Sequence, residues 1–195
     1  MNFLAHIFLS GTDRQIQIGN FIGDAVKGNS YNDYLPSIRK GILLHRAIDH
    51  FTDHHPVVRE MLKDMRPAFG RYSGIVLDMY FDYFLASRFS EFSKSRLRLF
   101  TVRFYLGLIW YGQHLPESIK GFMWHLIFSD RLNKYANKEG IRRSLEIMVK
   151  YKRIAISADL AISYLTENED KLFLFFLSFF NEVRDFADDY LNSNR

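Results

Sequence analysis

The chain has 195 residues, 48% of them hydrophobic and 16% aromatic, which is enough to bury a core and excludes global disorder. It contains no cysteine, which excludes disulfides, cysteine-ligated zinc, iron–sulfur clusters and a thiol nucleophile. Any metal ion must therefore be bound by His, Asp or Glu. We expect a single domain over residues 1–195.

The net charge of +4 conceals an uneven distribution of charge along the chain. Residues 1–87 carry nine Lys/Arg and nine Asp/Glu, residues 88–153 carry fourteen and five, and residues 154–195 carry three and eight. The middle third is therefore strongly basic, which indicates a surface for an acidic partner.

Neither the N-terminal segment nor the most apolar stretch of the chain is typical of a membrane protein. The N-terminal apolar run lacks a preceding positive charge and is interrupted by His6, which is not typical of a signal peptide. The most apolar stretch, residues 172–180, would rise about 13 Å as a helix, against a hydrocarbon core of about 30 Å. We expect no membrane span and a cytoplasmic location.

Apolar residues recur at spacings of three and four, and no alternating run typical of a strand is present, so the sequence predicts an all-α helical bundle. The predicted helices cover residues 36–54, 57–69, 74–88, 96–111, 117–128, 139–151, 157–165 and 169–191.

The predicted helix 36–54 carries polar groups on the face that should be apolar. His45, Asp49 and Asp53 follow one another at i, i+4 and i+8, on the face shared by Ile38 and Ile42. Because burying an ionised group costs several kcal/mol unless it is paired or bound to a metal, this face needs a partner.

The predicted helix 74–88 repeats the pattern with Asp78 and Asp82, between Ile75 and Leu85. A divalent cation between the two helices would satisfy all these side chains, and one His with several Asp suits manganese, magnesium or iron. The alternative is an inter-helix salt-bridge network in which the aspartates pair with arginines, namely Arg46, Arg59, Arg66 and Arg71.

Two further features lie near the N-terminus. Gly19 to Gly23 is predicted to form a glycine-flanked turn before Asp24, where Asp24 by itself is read as a cap. His6 lies in an apolar run and by itself is read as a core histidine.

The order of these residues resembles the acyl carrier protein phosphodiesterases. The resemblance covers residues 1–88 and is carried by Asn2 to His6, Gly19-Asn20 with Asp24, Gly41-Ile42, His45 to Asp49, Thr52-Asp53 with Pro56, Asp78, and Phe81 to Leu85. It implies an all-helical fold related to HD-type metal-dependent phosphohydrolases and a manganese-assisted release of 4′-phosphopantetheine from the serine of holo-acyl carrier protein. The sequence departs from these patterns in lacking an adjacent His-Asp dipeptide and in having Tyr83 where the family often has histidine.

The residue pattern and the resemblance together suggest the following roles. His45, Asp49, Asp78 and Asp82, with Asp24 as a further ligand, would bind the metal, which would activate water for attack on phosphorus. Asp53 would orient that water or bind a second ion. Arg46 would bind the phosphodiester oxygens, and His6 would protonate the departing serine oxygen.

The basic segment 88–153 is then predicted to dock the acidic carrier protein. The candidate docking residues are Arg88, Lys94, Arg96, Arg98, Arg103, Arg131, Lys134, Lys138, Arg142 and Arg143. Two other functions fit the sequence: an HD-like phosphohydrolase acting on a nucleotide, and a non-catalytic protein whose basic third binds nucleic acid. We do not expect a nucleic-acid partner, because the aromatic residues of this segment have spacings that fit core packing.

Overall fold

A computed structural model describes residues 2–152 and 154–193 of the chain. These residues form α-helices and short 3₁₀ turns without a strand, which confirms the predicted all-α class. The helices are α1 (Phe3–Phe8), α2 (Arg14–Ile22), α3 (Pro36–His54), α4 (Pro56–Phe69), α5 (Ser73–Ser87), α6 (Phe89–Phe92), α7 (Leu97–Trp110), α8 (Glu117–Phe128), α9 (Arg131–Lys134), α10 (Lys138–Lys152), α11 (Ala158–Glu167) and α12 (Glu169–Ser193).

The predicted helices are confirmed to within about two residues, but the N-terminal region differs from the prediction. Residues 3–8 and 14–22 are helical, so the predicted turn from Gly19 to Gly23 is wrong. Asp13 starts α2 by accepting hydrogen bonds from the amides of Gln15 and Ile16. A 3₁₀ segment at residues 23–25 follows α2 and carries Asp24.

Two glycines let α2 and α3 cross at unusually short range. A Cβ atom on Gly19 would lie 2.0 Å from the carbonyl oxygen of Ile38, and one on Gly41 would lie 2.2 Å from that of Ile16. No side chain fits in these gaps, since the obstructing atoms are backbone. The close crossing brings the C-terminal half of α2 against the middle of α3, where the polar residues of the two helices meet.

The hydrophobic core lies where α12 packs against α5 and α3. Phe176, Phe179 and Phe180 of α12 are fully buried, and the ring centroid of Phe179 lies 5.2 Å from that of Phe81 on α5. Such aromatic pairs contribute beyond their buried area and fix the packing of the helices. Through these contacts α12 packs on both α5 and α3, and α5 also contacts α1.

Among residues 2–152 and 154–193, no helix combines the length and the hydropathy needed to cross a membrane.

Candidate active site

Asn20 on α2 links two histidines that come from different helices. Its Oδ1 atom lies 2.8 Å from Nδ1 of His6 and 3.2 Å from Nδ1 of His45. Its Nδ2 atom donates to the carbonyl oxygen of His6 and to Oγ of Ser10, both at 2.9 Å. Because these two acceptors fix the orientation of the amide, Oδ1 must accept, and both imidazoles carry their proton on Nδ1.

The opposite nitrogens of the two rings converge on Asp49. His6 Nε2 lies 3.2 Å from one carboxylate oxygen of Asp49, and His45 Nε2 lies 3.1 Å from the other. The rings stack with centroids 4.1 Å apart. We call His6, His45 and Asp49 the His–Asp cluster; the three ligand atoms lie within 4.8 Å of one another.

Asp24 approaches the His–Asp cluster from the solvent side. Its Oδ1 lies 3.4 Å from His45 Nε2, although 87% of its side chain is exposed. Gly23 makes this approach possible, because a Cβ atom there would lie 2.3 Å from the ring of His45. The short 3₁₀ turn thus places a carboxylate at the open side of a buried imidazole.

Burial and the short distances within the cluster shift the pKa values of its three side chains. Burial lowers the pKa of His6 to about 4, so this ring is neutral near pH 7. Burial also lowers the pKa of His45, but Asp24 and Asp49 outweigh it and raise the value to about 9. Burial opposes ionisation of Asp49, yet the two imidazoles hold its pKa far below its ordinary range.

The donor set fits a divalent cation. Within the described part of the chain, the Nε2 atoms of His6 and His45 are buried and lack a hydrogen bond of acceptable geometry. The Asn20 contact keeps a proton on each Nδ1, so the neutral His6 ring directs the lone pair of its Nε2 toward the Asp49 carboxylate, which a cation between them would relieve. The raised pKa of His45 puts a second proton on its Nε2 near pH 7, and a bound cation would replace that proton. Spacings of about 3 Å are those of ligands that share one ion at about 2.1 Å.

Asp82 binds backbone amides instead of joining the His–Asp cluster, contrary to its predicted role as a metal ligand. It is fully buried, and its two oxygens accept hydrogen bonds from the amides of Leu4 at 3.0 Å and Ala5 at 2.9 Å. Burial raises its pKa to about 7, although both amides favour the charged form. Asp82 therefore anchors the start of α1, the helix that carries His6.

Arg46 and Asp53 also lie outside the His–Asp cluster. Arg46 donates to the carbonyl oxygens of Val26 and Gly28, both at 2.9 Å, so it holds the segment after Asp24 rather than facing the cluster. Asp53 is exposed, and its carbonyl oxygen accepts from Arg59. The i+8 spacing carries Asp53 past the cluster, because a helix advances about 6 Å in four residues.

The alternative salt-bridge network is not observed in residues 2–152 and 154–193. None of the four arginines proposed for it, Arg46, Arg59, Arg66 and Arg71, forms an ion pair with Asp49, Asp53, Asp78 or Asp82. Tyr83 is also explained without a role at the cluster, since its hydroxyl donates to Glu169 at 2.7 Å.

A cavity of about 600 Å³ opens beside the His–Asp cluster. Its polar wall includes His6, Asp24, His45 and Asp78, so the structure brings Asp78 to the same space. Burial raises the pKa of Asp78. The lining also includes apolar residues of α8 and α10, namely Phe122, Ile147 and Met148. This size and mixture of surfaces are typical of a small-molecule site.

Sequence reasoning assigned no role to three residues that build or line this site. The sequence pattern includes Asn20 only beside Gly19, and it assigns no functional role to Ser10 or to His125, which lines the cavity. The signal for Asn20 was its place one residue after a glycine that the helix crossing requires.

The fold and site define an all-helical protein with a buried histidine–carboxylate cluster at the wall of a cavity. The sequence model of the family described as "Acyl carrier protein phosphodiesterase" matches residues 1–183. The chain therefore belongs to the acyl carrier protein phosphodiesterase family, which confirms the resemblance found in its first 88 residues.

Three curated relatives show how far the similarity extends. The chain is 32% identical over 151 residues to the acyl carrier protein phosphodiesterase of Enterobacter sp. (strain 638), covering 76% of this chain and 77% of the relative. The match to that of Serratia proteamaculans is 31% over 131 residues, covering 64% and 66%. The match to that of Yersinia pestis is 38% over 91 residues and spans about half of each chain, 47%. No solved structure shows significant similarity.

Proposed function

We propose that this protein is a metal-dependent phosphodiesterase that hydrolyses the bond between 4′-phosphopantetheine and the serine of holo-acyl carrier protein. One observation carries the proposal: two buried imidazole nitrogens without hydrogen bonds converge with Asp49 at the wall of a cavity. Membership of the family and the names of the relatives supply the substrate.

Each residue of the site then has a role in the proposed reaction. His6, His45 and Asp49 would bind the cation, with Asp24 and Asp78 as further carboxylates at the same cavity wall. When bound, a divalent cation would lower the pKa of a coordinated water and stabilise charge on phosphoryl oxygens. Asn20 holds both imidazoles in the tautomer that leaves Nε2 available. We thus assign His6 to the ligand set rather than to proton donation.

The identity of the metal, the relation to HD-type phosphohydrolases and the cellular location also belong to this proposal. Two nitrogens with one to three carboxylates suit manganese, with magnesium or iron as alternatives. A His-and-Asp ligand set on helices supports a relation to HD-type phosphohydrolases, although here His45 and Asp49 are four residues apart. A carrier-protein substrate favours a cytoplasmic location.

We place the docking surface for the carrier protein on the outer face of α7. Arg96 and Arg103 are exposed there, beside Leu99 and Leu106, whose side chains are 47% and 56% exposed. Exposed apolar side chains flanked by cations suit an acidic protein surface with its own apolar contacts. The inner face of α7 packs toward the cavity through Phe104, whose ring meets that of Phe21 at 5.4 Å.

Several cations of the basic segment are less suited to docking because they have partners within the chain. Arg98 pairs with Asp130 at 3.4 Å, and Lys138 pairs with Glu169 at 2.6 Å. Arg88 lies over the ring of Phe173 at 3.9 Å, and Arg142 pairs with Asp159. Arg131 is buried, so it is not available to dock the carrier protein as predicted.

The proposal is tested by incubating the full chain, stripped of metal by a chelator, with purified holo-acyl carrier protein and manganese, magnesium or ferrous ion. Intact-mass spectrometry should show conversion to the apo form only when a cation is added. Asp49→Asn should abolish both conversion and manganese binding, whereas Asp33→Asn, an exposed aspartate outside the site, should preserve both.

Three outcomes would overturn the proposal. They are the absence of apo protein with every cation, full activity in Asp49→Asn, and hydrolysis confined to a panel of nucleotides tested in parallel. Elemental analysis of the purified protein separates a metal site from a metal-free binding protein.

A further inference from the structure

Arg131 is a buried arginine in the lining of the cavity, on a different helix from the residues of the His–Asp cluster. It opens α9, and only 6% of its surface is exposed. It lines the same 600 Å³ cavity as His6 and His45. Its position is unexpected, because arginine is almost never fully buried without a partner.

The contacts of Arg131 do not neutralise its charge. Its Nη2 atom lies 3.2 Å from Nδ1 of His125, and its guanidinium carbon lies 5.5 Å from the ring centroid of Phe122. Within residues 2–152 and 154–193, no carboxylate lies within 4 Å of the guanidinium nitrogens; the neighbouring Asp130 pairs with Arg98 instead. A buried cation without a counter-ion is costly, and an anion in the cavity would remove that cost.

We infer that Arg131 is an anion-binding residue that holds phosphoryl oxygens of the phosphopantetheinyl group within the cavity. The inference rests on the proposed function for the identity of the ligand and on the buried guanidinium for the site. A guanidinium binds phosphoryl oxygens through paired N–H donors, a geometry that a lysine does not offer.

The surroundings of Arg131 fit the remainder of this ligand. His125 is exposed and lies beside Arg131 in the cavity lining. Ile147 and Met148 of α10 add apolar surface, which suits the uncharged pantetheine arm. Charge recognition by Arg131 and apolar contact along the wall together favour a phosphorylated, otherwise neutral chain.

The test measures binding rather than turnover. With manganese present, the dissociation constants of 4′-phosphopantetheine, pantetheine and inorganic phosphate are measured by calorimetry for the wild type, Arg131→Gln and Arg131→Lys. Arg66→Gln is the matched control, because Arg66 is exposed and does not line the cavity. Far-UV circular dichroism and thermal melts establish that each variant is folded.

We expect Arg131→Gln to weaken 4′-phosphopantetheine and phosphate about tenfold or more and to leave pantetheine within about twofold of wild type. The affinity of Arg131→Lys for 4′-phosphopantetheine should fall between the affinities of the wild type and of Arg131→Gln. Arg131→Lys also carries the test if Arg131→Gln fails to fold. Wild-type affinity for 4′-phosphopantetheine in the variants, an equal loss for pantetheine, or no binding by the wild type would overturn the inference.

The same preparations separate this inference from the proposed function. Arg131-dependent binding of 4′-phosphopantetheine without conversion of holo-acyl carrier protein would refute the function alone. Conversion by the wild type together with unchanged binding in Arg131→Gln would refute the inference alone.

Discussion

One carbonyl oxygen, Oδ1 of Asn20, lies 2.8 Å from Nδ1 of His6, and the same atom lies 3.2 Å from Nδ1 of His45. Two rings from α1 and α3 thereby share a single acceptor on α2. Their orientation and tautomer depend on a side chain that would not itself contact the metal.

Replacing Asn20 by alanine should weaken manganese binding about 10- to 100-fold, because the two imidazoles lose the acceptor that sets their tautomer. Isothermal titration calorimetry measures the change. Ser10→Ala is the control: it removes one acceptor of the Asn20 amide at 2.9 Å and a donor to the carbonyl oxygen of His6, but it leaves the contacts of Asn20 Oδ1 with both imidazoles. It should change the affinity for manganese less than about threefold. Equal affinities in Asn20→Ala and wild type would show that Asn20 does not position the histidines.

Asp82→Ala should lower both stability and metal affinity. It leaves the amides of Leu4 and Ala5 without acceptors in a buried place, at a cost of about 2–3 kcal/mol in the free energy of unfolding by urea. His6 lies on the released helix, so manganese binding should weaken as well.

Asp13→Ala provides the comparison for Asp82, because Asp13 caps α2 from an exposed position. Asp13→Ala should lower the free energy of unfolding by about 1 kcal/mol and leave the affinity for manganese unchanged. If Asp82→Ala also left that affinity unchanged, α1 would hold His6 without the Asp82 anchor.

Gly41→Ala should destabilise the protein by about 1–3 kcal/mol, because its Cβ atom would lie 2.2 Å from the carbonyl oxygen of Ile16 and would push α2 from α3. Gly121→Ala should have the opposite sign. Gly121 lies inside α8 with no atom near its Cβ position, so alanine should stabilise by about 0.5–1 kcal/mol. Thermal melts of both variants check the signs; a neutral Gly41→Ala would contradict the proposed close crossing.

Charge reversal at Arg96 and Arg103 should raise KM for holo-acyl carrier protein about tenfold at low salt, with the difference shrinking at high salt because surface charges are screened. Hydrolysis of a small phosphodiester should be unchanged. Arg66→Glu, on the exposed surface of α4, controls for net charge. A KM unaffected by the double reversal would remove α7 as the docking surface.

Glu169 makes the stability of the protein depend on pH. Burial opposes its ionisation, but Lys138 and the hydroxyl of Tyr83 hold its pKa below its ordinary 4.5. A carboxylate with a depressed folded-state pKa stabilises the protein above the unfolded value, and the contribution is lost as pH falls through the folded value.

Glu169→Gln should therefore cost about 1 kcal/mol in the free energy of unfolding at pH 7, and the difference from wild type should shrink as pH falls below about 4.5. Urea unfolding at pH 7 and at pH 3.5 measures it. Glu167→Gln, a substitution of an exposed neighbour, is the control. A cost that is independent of pH would mean that the ionised carboxylate is not what stabilises this contact.

The helical class and the boundaries of α3 were predictable because they depend on local signals. Pro36 and Pro56 each stand at the start of a helix, and apolar spacing carries through the residues between. Helices α1 and α2 were not predicted, because a six-residue helix has little periodicity and because Gly19 within α2 and Gly23 after it are typical of a turn.

The site was predictable only in part. The i, i+4 spacing of His45 and Asp49 on an apolar face is a local pattern and identified both residues. The same pattern misassigned Asp82, because spacing shows which side of a helix a carboxylate occupies but not what lies opposite. Here the opposite group is the backbone of α1, whose amides use both oxygens.

By itself, the sequence determined the helical class, the basic middle third, the restriction of metal ligands to His, Asp and Glu, and the family resemblance. Only the tertiary structure decided that His6 joins His45 and Asp49, that Asn20 orients both rings, and that Arg131 faces the cavity rather than solvent. The physical reason is that these contacts join helices distant in sequence. The contact between Asn20 and His45 depends in particular on how closely α2 and α3 cross, which is set by backbone atoms meeting at Gly19 and Gly41.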